Sequence, residues 1–329
     1  MQKPYLLLIR RPARRPGLVL GGALAALLGA GQPADALVIT PTFASNITSD
    51  PNAAAIEAVI NTAIGIYQAD FTDPINVAIT LQEGGGLGGS STFFQNVSYS
   101  TYLTALKADA TTSNDAIANS LLPNDATNPV NGTSTINVKT ANLRAVGIAT
   151  PGFGVGQANP DGTITLNTSL TFPGSLGSSS TYSLLSVTEH EIDEVLGLGS
   201  SLAAIPLGTI FPEDLFRYDA AGNRSFTTNS AAQAFFSING TTDLAQFDNQ
   251  NDGGDFGDWQ SNPLPSGVPP KVQDAFATPL ATPSLGVELT ALDVIGYNFN
   301  AQVPVPEPGS LTLLGTSLLG LAALRRRRQ

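Results

Sequence analysis

Thr188-Glu189-His190-Glu191-Ile192-Asp193-Glu194-Val195-Leu196-Gly197 is the stretch on which the reading of this chain turns. It holds the only histidine and four carboxylates within six residues. Wound as a helix at about 100° per residue, Leu184, Leu185, Ile192, Val195 and Leu196 gather on one face. His190 and Glu194 lie on the opposite face, one turn apart, so both side chains can reach one point. Glu191 projects beside Glu194, and Gly197 and Gly199 mark where the helix stops. Acids in the C-terminal half of a helix oppose its macrodipole, at about 0.3–1 kcal/mol each. A bound cation reverses the sign of that cost. Two readings stay open here, a solvated acidic face or a metal site. The placing of the one imidazole among the acids favours the metal.

Composition narrows the chemistry around this stretch. The chain has 329 residues, no Cys, one Met and one Trp. Without thiols there is no disulfide framework, no thiolate zinc site and no cysteine nucleophile. With one imidazole, no site can draw two His ligands from this chain alone. Charged residues are 12% of the sequence while Gly and Pro together number 56, so Ser, Thr and Asn must supply the polar surface and turns should be plentiful. The net charge of −11 averages unlike parts. Nine of the 15 basic residues sit at the ends, leaving residues 37–302 with 24 acids against 6 bases, a balance of −18. Such a body will not track a phosphate backbone, and nucleic acid is excluded as a partner.

Both ends read as processing signals. Residues 1–36 have the form of a secretory signal peptide: a basic region ending at Arg15, an apolar stretch from Gly17 to Ala30, and a small-residue cleavage site at Ala34-Asp35-Ala36. At the other end Pro306-Glu307-Pro308 precedes the apolar run Gly309–Leu324 and the cluster Arg325–Arg328. That run is about 24 Å long as a helix, short of a bilayer core of roughly 30 Å. The arginines place its end on the cytoplasmic side. This tripartite tail, residues 303–329, resembles the PEP-CTERM sorting signal of Gram-negative bacteria. The resemblance implies a protein passed through the general secretion machinery and held transiently in the inner membrane. An exosortase then cuts it near the PEP motif, and the body reaches the surface or the extracellular matrix.

Between these signals lies a body, residues 37–302, large enough for one sizeable domain. Leu37–Phe43 reads as a strand, and Asp50 as the cap of a helix from Pro51 to about Asp70. Ile75–Leu81 alternates as a strand and runs into Gly84–Ser91, read as a flexible loop without phosphate-loop spacing. Short helices are expected near Ser100–Ala110, Asn114–Leu122 and Thr140–Val146, then a strand over Thr163–Asn167. The acidic helix follows at about Thr181–Leu196. Beyond it the pattern changes to hairpins: Phe216–Tyr218 against Ser225–Thr227, and a two-residue turn at Asn239-Gly240. A helix near Val287–Ile295 closes the body. The expected class is α+β, with an α/β N-terminal half, a central helix, a hairpin-rich C-terminal half, and a cleft between the halves.

The central helix resembles the zincin motif, in which two His one turn apart bind zinc and the intervening Glu is the general base. Here Glu194 stands in place of the second His, giving H-E-x-x-E, and carboxylate is an acceptable zinc ligand. The longer metzincin pattern would place a third His at Ser200, and a Met-turn is absent because the only methionine is Met1. The body also resembles metalloproteases that carry PEP-CTERM tails in bacteria. The matching stretches are Ile39–Phe43, Ser49–Glu57, Asn96–Tyr99, His190–Gly197, Leu215–Tyr218 and Leu292–Tyr297. The related branch with an intact H-E-x-x-H helix has a Gly-Gly-Asp-x-x-His-Trp segment, which matches Gly253–Trp259 with Asp258 in the place of its His. The resemblance therefore implies a zincin-like, metzincin-type catalytic domain with His190, Glu194 and Asp258 as metal ligands and Glu191 as base. It implies one divalent ion, zinc first, with Mn²⁺ or Ca²⁺ as alternatives, and a polypeptide substrate. Anionic ligands make the metal a weaker Lewis acid and tilt preference toward harder ions.

Other constellations are weaker. A Ser-His-Asp hydrolase would have to use His190, yet no Gly-x-Ser-x-Gly elbow appears, and Ser200 and Ser201 lie too near it in sequence. Asp248–Gly253 opens like a calcium loop, but Trp259 occupies the position of the bidentate Glu, which excludes an EF-hand. A looser calcium site or a plain turn remains there. Two functions stand at this stage: an exported metal-dependent peptidase, and a non-catalytic surface or matrix protein of the same fold.

Overall fold

The alternating apolar residues predicted as a strand after Ile75 form the centre of the principal sheet. The computed structural model describes residues 36–172, 181–202, 208–250 and 252–300. In chain order the first elements are strand β1 (Val38–Phe43), the single turn α1 (Ser45–Thr48), helix α2 (Ala53–Asp70) and strand β2 (Asn76–Glu83). Val77, Ile79 and Leu81 of β2 are buried, as period-2 alternation requires. Next come β3 (Gly88–Thr92), β4 (Phe94–Ser98), α3 (Tyr99–Asp109), α4 (Ser113–Ser120), β5 (Thr135–Lys139), α5 (Thr140–Ala145) and β6 (Gly162–Leu166). The two-residue strands β7 (Thr171–Phe172) and β8 (Tyr182–Ser183) lead into the central helix α6 (Leu184–Leu196). A 3-10 turn (Pro212–Phe216), strands β9 (Arg217–Tyr218), β10 (Phe235–Phe236) and β11 (Ala245–Gln246), and helix α7 (Val287–Val294) complete the order.

The principal sheet has the order β1-β2-β6-β3. β1 and β2 are parallel, with Ile39 opposite Val77, and β2 and β6 are parallel, with Leu81 opposite Ile164. β3 runs antiparallel to β6, with Ser90 opposite Ile164, and forms the edge. α6 packs on β3 and β6, and α2 packs on α6. Ile56, Ile60, Ala63, Ile64 and Tyr67 give α2 its buried stripe at helical spacing. Ser183 caps α6, its Oγ accepting from the Ser186 N–H at 3.2 Å, a bond of the kind that stabilises a helix by about 1 kcal/mol. The architecture is mixed α and β with several small sheets, one of them antiparallel β4–β5.

Several expectations change. α2 begins at Ala53, two residues after Pro51, because the Asp50 carboxylate bonds the Asn52 N–H at 2.6 Å and holds a turn there first. The stretch Gly84–Ser91 is not a free loop. Gly88–Thr92 is the edge strand, which glycine permits because β3 presses close on α6. The central helix starts at Leu184, since Tyr182–Ser183 pairs with β7. Asn239-Gly240 is not a two-residue hairpin turn: the β10–β11 connection is longer, and the Asn239 side chain accepts from the N–H groups of Thr241 and Thr242 to fold it. The second half is thus dominated by turns, its three-stranded sheet carrying only two residues per strand. The acidic helix has no solvated acidic face. Glu189, Glu191 and Asp193 are each less than 5% exposed, because α2, α7 and the sheet cover α6 on all sides but one.

Candidate metal centre

The helical pitch of α6 puts His190 and Glu194 one turn apart on its open side. Gly197 ends the helix, its N–H and that of Leu198 both bonding the Asp193 carbonyl. The chain then turns through Gly199, at φ +137°, a conformation that favours glycine. A second loop, 252–259, meets this turn. A Cβ on Gly257 would lie 2.6 Å from Gly199 Cα, so the two backbones touch there. That contact carries Asp258 to the side of α6. Trp259 behind it is 1% exposed, packed on Phe236 and Phe247 with ring centroids 5.7 and 5.1 Å away. Buried Arg217 lies 4.2 Å over the Phe247 ring and donates to the Phe256 carbonyl, which braces the same loop. Asp248 belongs to this bracing too: its N–H bonds the Asp258 carbonyl at 2.7 Å and its Oδ1 accepts from Gln250.

His190, Glu194 and Asp258 come together. One donor atom from each lies within 4.8 Å of the others, the one such group among the described residues, and His190 Nε2 is 3.8 Å from Asp258 Oδ2. Donors bound at about 2.0–2.2 Å around a tetrahedral ion sit roughly 3.4 Å apart. Spacings of up to 4.8 Å are wider than that, so the donors would have to draw together around an ion, and the residue types suit zinc or a harder cation. Glu194 Oε2 accepts from Ser90 Oγ at 2.5 Å, which ties the ligand to the edge strand. Glu191 lines the same cleft, and its Oε2 is buried without a hydrogen-bond partner.

The electrostatics fit a place for positive charge. Burial pushes the Glu191 carboxyl up to about 8, with His190 opposing and Glu194 reinforcing the rise. Burial likewise raises Asp258 to about 7 against the lowering pull of His190. Burial disfavours the His190 cation, yet Asp258, Glu191 and Glu194 outweigh it and raise the imidazole to about 10. Without a metal, the cluster holds protons that a divalent ion would displace. Lys139 lies beside the cluster, its pKa lowered by burial against the opposing pull of Glu194 and Glu213. Lys139 Nζ donates to the carbonyls of Glu194 and Leu198, satisfying two backbone acceptors at the C-terminal end of α6.

Sequence reasoning reached the three candidate ligands and Glu191, but not their surroundings. Ser90 lay in a stretch read as loop. Lys139 carried a usable signal, as one of only six basic residues in the body. Val272 and Gln273, which bond His190 and Asp258, carried none. Ser200, the alternative nucleophile, instead donates to Asp214 Oδ1 at 2.5 Å.

Among known proteins, residues 304–328 match the PEP-CTERM protein-sorting motif. No curated protein and no solved structure matches the chain. The motif implies export, recognition by an exosortase, and a C-terminal tail anchored in the membrane before cleavage. Among the described residues no helix is long and apolar enough to cross a membrane. The signal peptide of residues 1–36 and the apolar run 309–324 lie outside the described residues, apart from Ala36.

Proposed function

We propose that the body is an exported metal-dependent peptidase in which His190, Glu194 and Asp258 hold one divalent ion and Glu191 is the general base. The observation that carries this reading is the convergence of those three donors beside the unpaired Glu191 Oε2 in one cleft. When bound, such an ion supplies a Lewis acid that polarises a carbonyl and acidifies water. Glu191 Oε2 takes the proton of the attacking water and returns it to the leaving amine. Its buried setting keeps it close to neutral basicity, and a nearby cation favours its ionised form. Ser90 orients Glu194 by its hydroxyl.

The rim of the cleft, about 450 Å³ in volume, supports a polypeptide as the substrate class. β3 is an edge strand. The bonds at its ends, Asn167 N–H to the Leu87 carbonyl and Phe93 N–H to the Asp161 carbonyl, face β6. By the alternation of an antiparallel ladder, the backbone groups of Gly88, Ser90 and Thr92 face away from the sheet. An extended peptide can add to that edge as another strand, its carbonyl beside the three donors. Zinc is the first choice of ion, and the two carboxylates make Mn²⁺ or Ca²⁺ the alternatives.

Metal analysis of the purified chain and cleavage of casein, with and without Glu191→Ala, tests the proposal. Bound metal and cleavage that disappears in the variant support it. Metal retained without any cleavage would instead identify a structural cation in a surface or matrix protein.

A further inference from the structure

We infer that the Val272–Gln273 dipeptide, held in place by Glu288, sets the geometry of the metal centre from outside it, with Gln273 the positioning residue for Asp258. The inference rests on the metal reading above. His190 Nδ1 lies 3.0 Å from the Val272 carbonyl oxygen. A carbonyl only accepts, so Nδ1 carries the proton and Nε2 is left to the centre. One residue on, Gln273 Nε2 donates to Asp258 Oδ1 at 2.8 Å and lies 3.4 Å from His190 Nε2. The amide's orientation follows from chemistry, because an amide oxygen turned toward Asp258 would set acceptor against acceptor. Two neighbouring residues thus reach two donors that come from distant parts of the chain, one on α6 and one on the loop before Trp259.

The dipeptide is itself fixed. Gln273 N–H donates to Glu288 Oε1 at 3.2 Å, and its carbonyl accepts from Trp259 N–H at 2.8 Å. The same Glu288 oxygen accepts from Trp259 Nε1 at 2.9 Å. A buried carboxylate on α7 therefore ties together the segment that orients His190 and the loop that carries Asp258. Gln273 is fully buried, yet its Oε1 has no partner. An orphaned buried amide oxygen opposes folding, and an apolar side chain would not. Against that cost stands only the bond from its nitrogen to the buried Asp258 carboxylate, and both neighbours of that nitrogen are metal-ligand atoms. Outer-shell partners of this kind hold ligand orientation and tune metal affinity.

The test titrates the chelated full chain with Zn²⁺ and with Co²⁺, for wild type and for Gln273→Leu. The expected result is zinc affinity weaker by about 10–100-fold and an altered visible spectrum of the cobalt form, in a variant whose metal-free form still unfolds cooperatively. Gln273→Met, which keeps the side-chain length, is the second variant if leucine does not fold. The Val272 half is read in the zinc-loaded wild type by ¹⁵N NMR, where the sole imidazole should be protonated at Nδ1 and ligated through Nε2. Unchanged zinc affinity and cobalt spectrum in a folded variant would overturn the role of Gln273, and ligation through Nδ1 would overturn that of Val272. A wild-type chain that binds neither ion overturns the metal centre itself, a separate result from either.

Discussion

Gly257 and Gly199 meet backbone to backbone, so closely that a Cβ on Gly257 would stand 2.6 Å from Gly199 Cα and 2.8 Å from Ser200 N. Neither residue carries chemistry, yet their contact decides whether Asp258 reaches α6. Gly257→Ala should therefore weaken zinc binding although every ligand is intact, and destabilise the chain by about 1–3 kcal/mol through overpacking. Isothermal titration and thermal unfolding check the two parts. Wild-type affinity in Gly257→Ala would mean that Asp258 is not held by this contact.

Glu191→Gln separates chemistry from metal binding. The neutral amide cannot accept the water proton, so kcat/KM for peptide cleavage should fall by about 10²–10⁴-fold. Metal content, measured by elemental analysis, should stay at the wild-type level because His190, Glu194 and Asp258 are untouched.

Gly88 sits where β3 crosses α6, and a Cβ there would meet Glu191 Oε1 and lie 2.7 Å from Val187 Cγ1. Gly88→Ala should displace the Glu191 side chain and lower cleavage at least tenfold, with a smaller effect on zinc affinity. Paired measurement of turnover and zinc affinity distinguishes this from general unfolding, which would remove both together.

Acid should stabilise the metal-free fold. Asp73 is fully buried, and burial pushes its carboxyl from 3.8 up to about 7, although the bond from Asn298 N–H opposes the rise. The native state then binds more protons than the unfolded chain between these values. The stabilisation is complete below about pH 4 and is lost as pH rises through about 7. Unfolding temperatures in chelator should therefore fall from pH 5 to pH 8, and Asp73→Asn should flatten that slope. A profile that rises with pH, or one unchanged in Asp73→Asn, would contradict this account.

What the sequence determined by itself is what short-range periodicity encodes. The i,i+4 spacing of His190 and Glu194 holds on any helix, and the alternation of Val77, Ile79 and Leu81 is enough to make a strand. The tail motif at 304–328 was legible for the same reason, being a local order of residue types. Tertiary packing decided the rest. Periodicity leaves open whether Glu189 and Asp193 face water, and Tyr67 answers it by donating to Asp193 Oδ1 at 2.8 Å from another helix. Gly84–Ser91 has no apolar pattern to mark a strand, because β3 gains its place from pairing with β6 and from the narrow gap above α6. Asp258 and Gln273 reach the centre through a glycine–glycine contact and a carboxylate on α7, both far away along the chain. Such meetings depend on how elements pack, and no window of neighbouring residues records them.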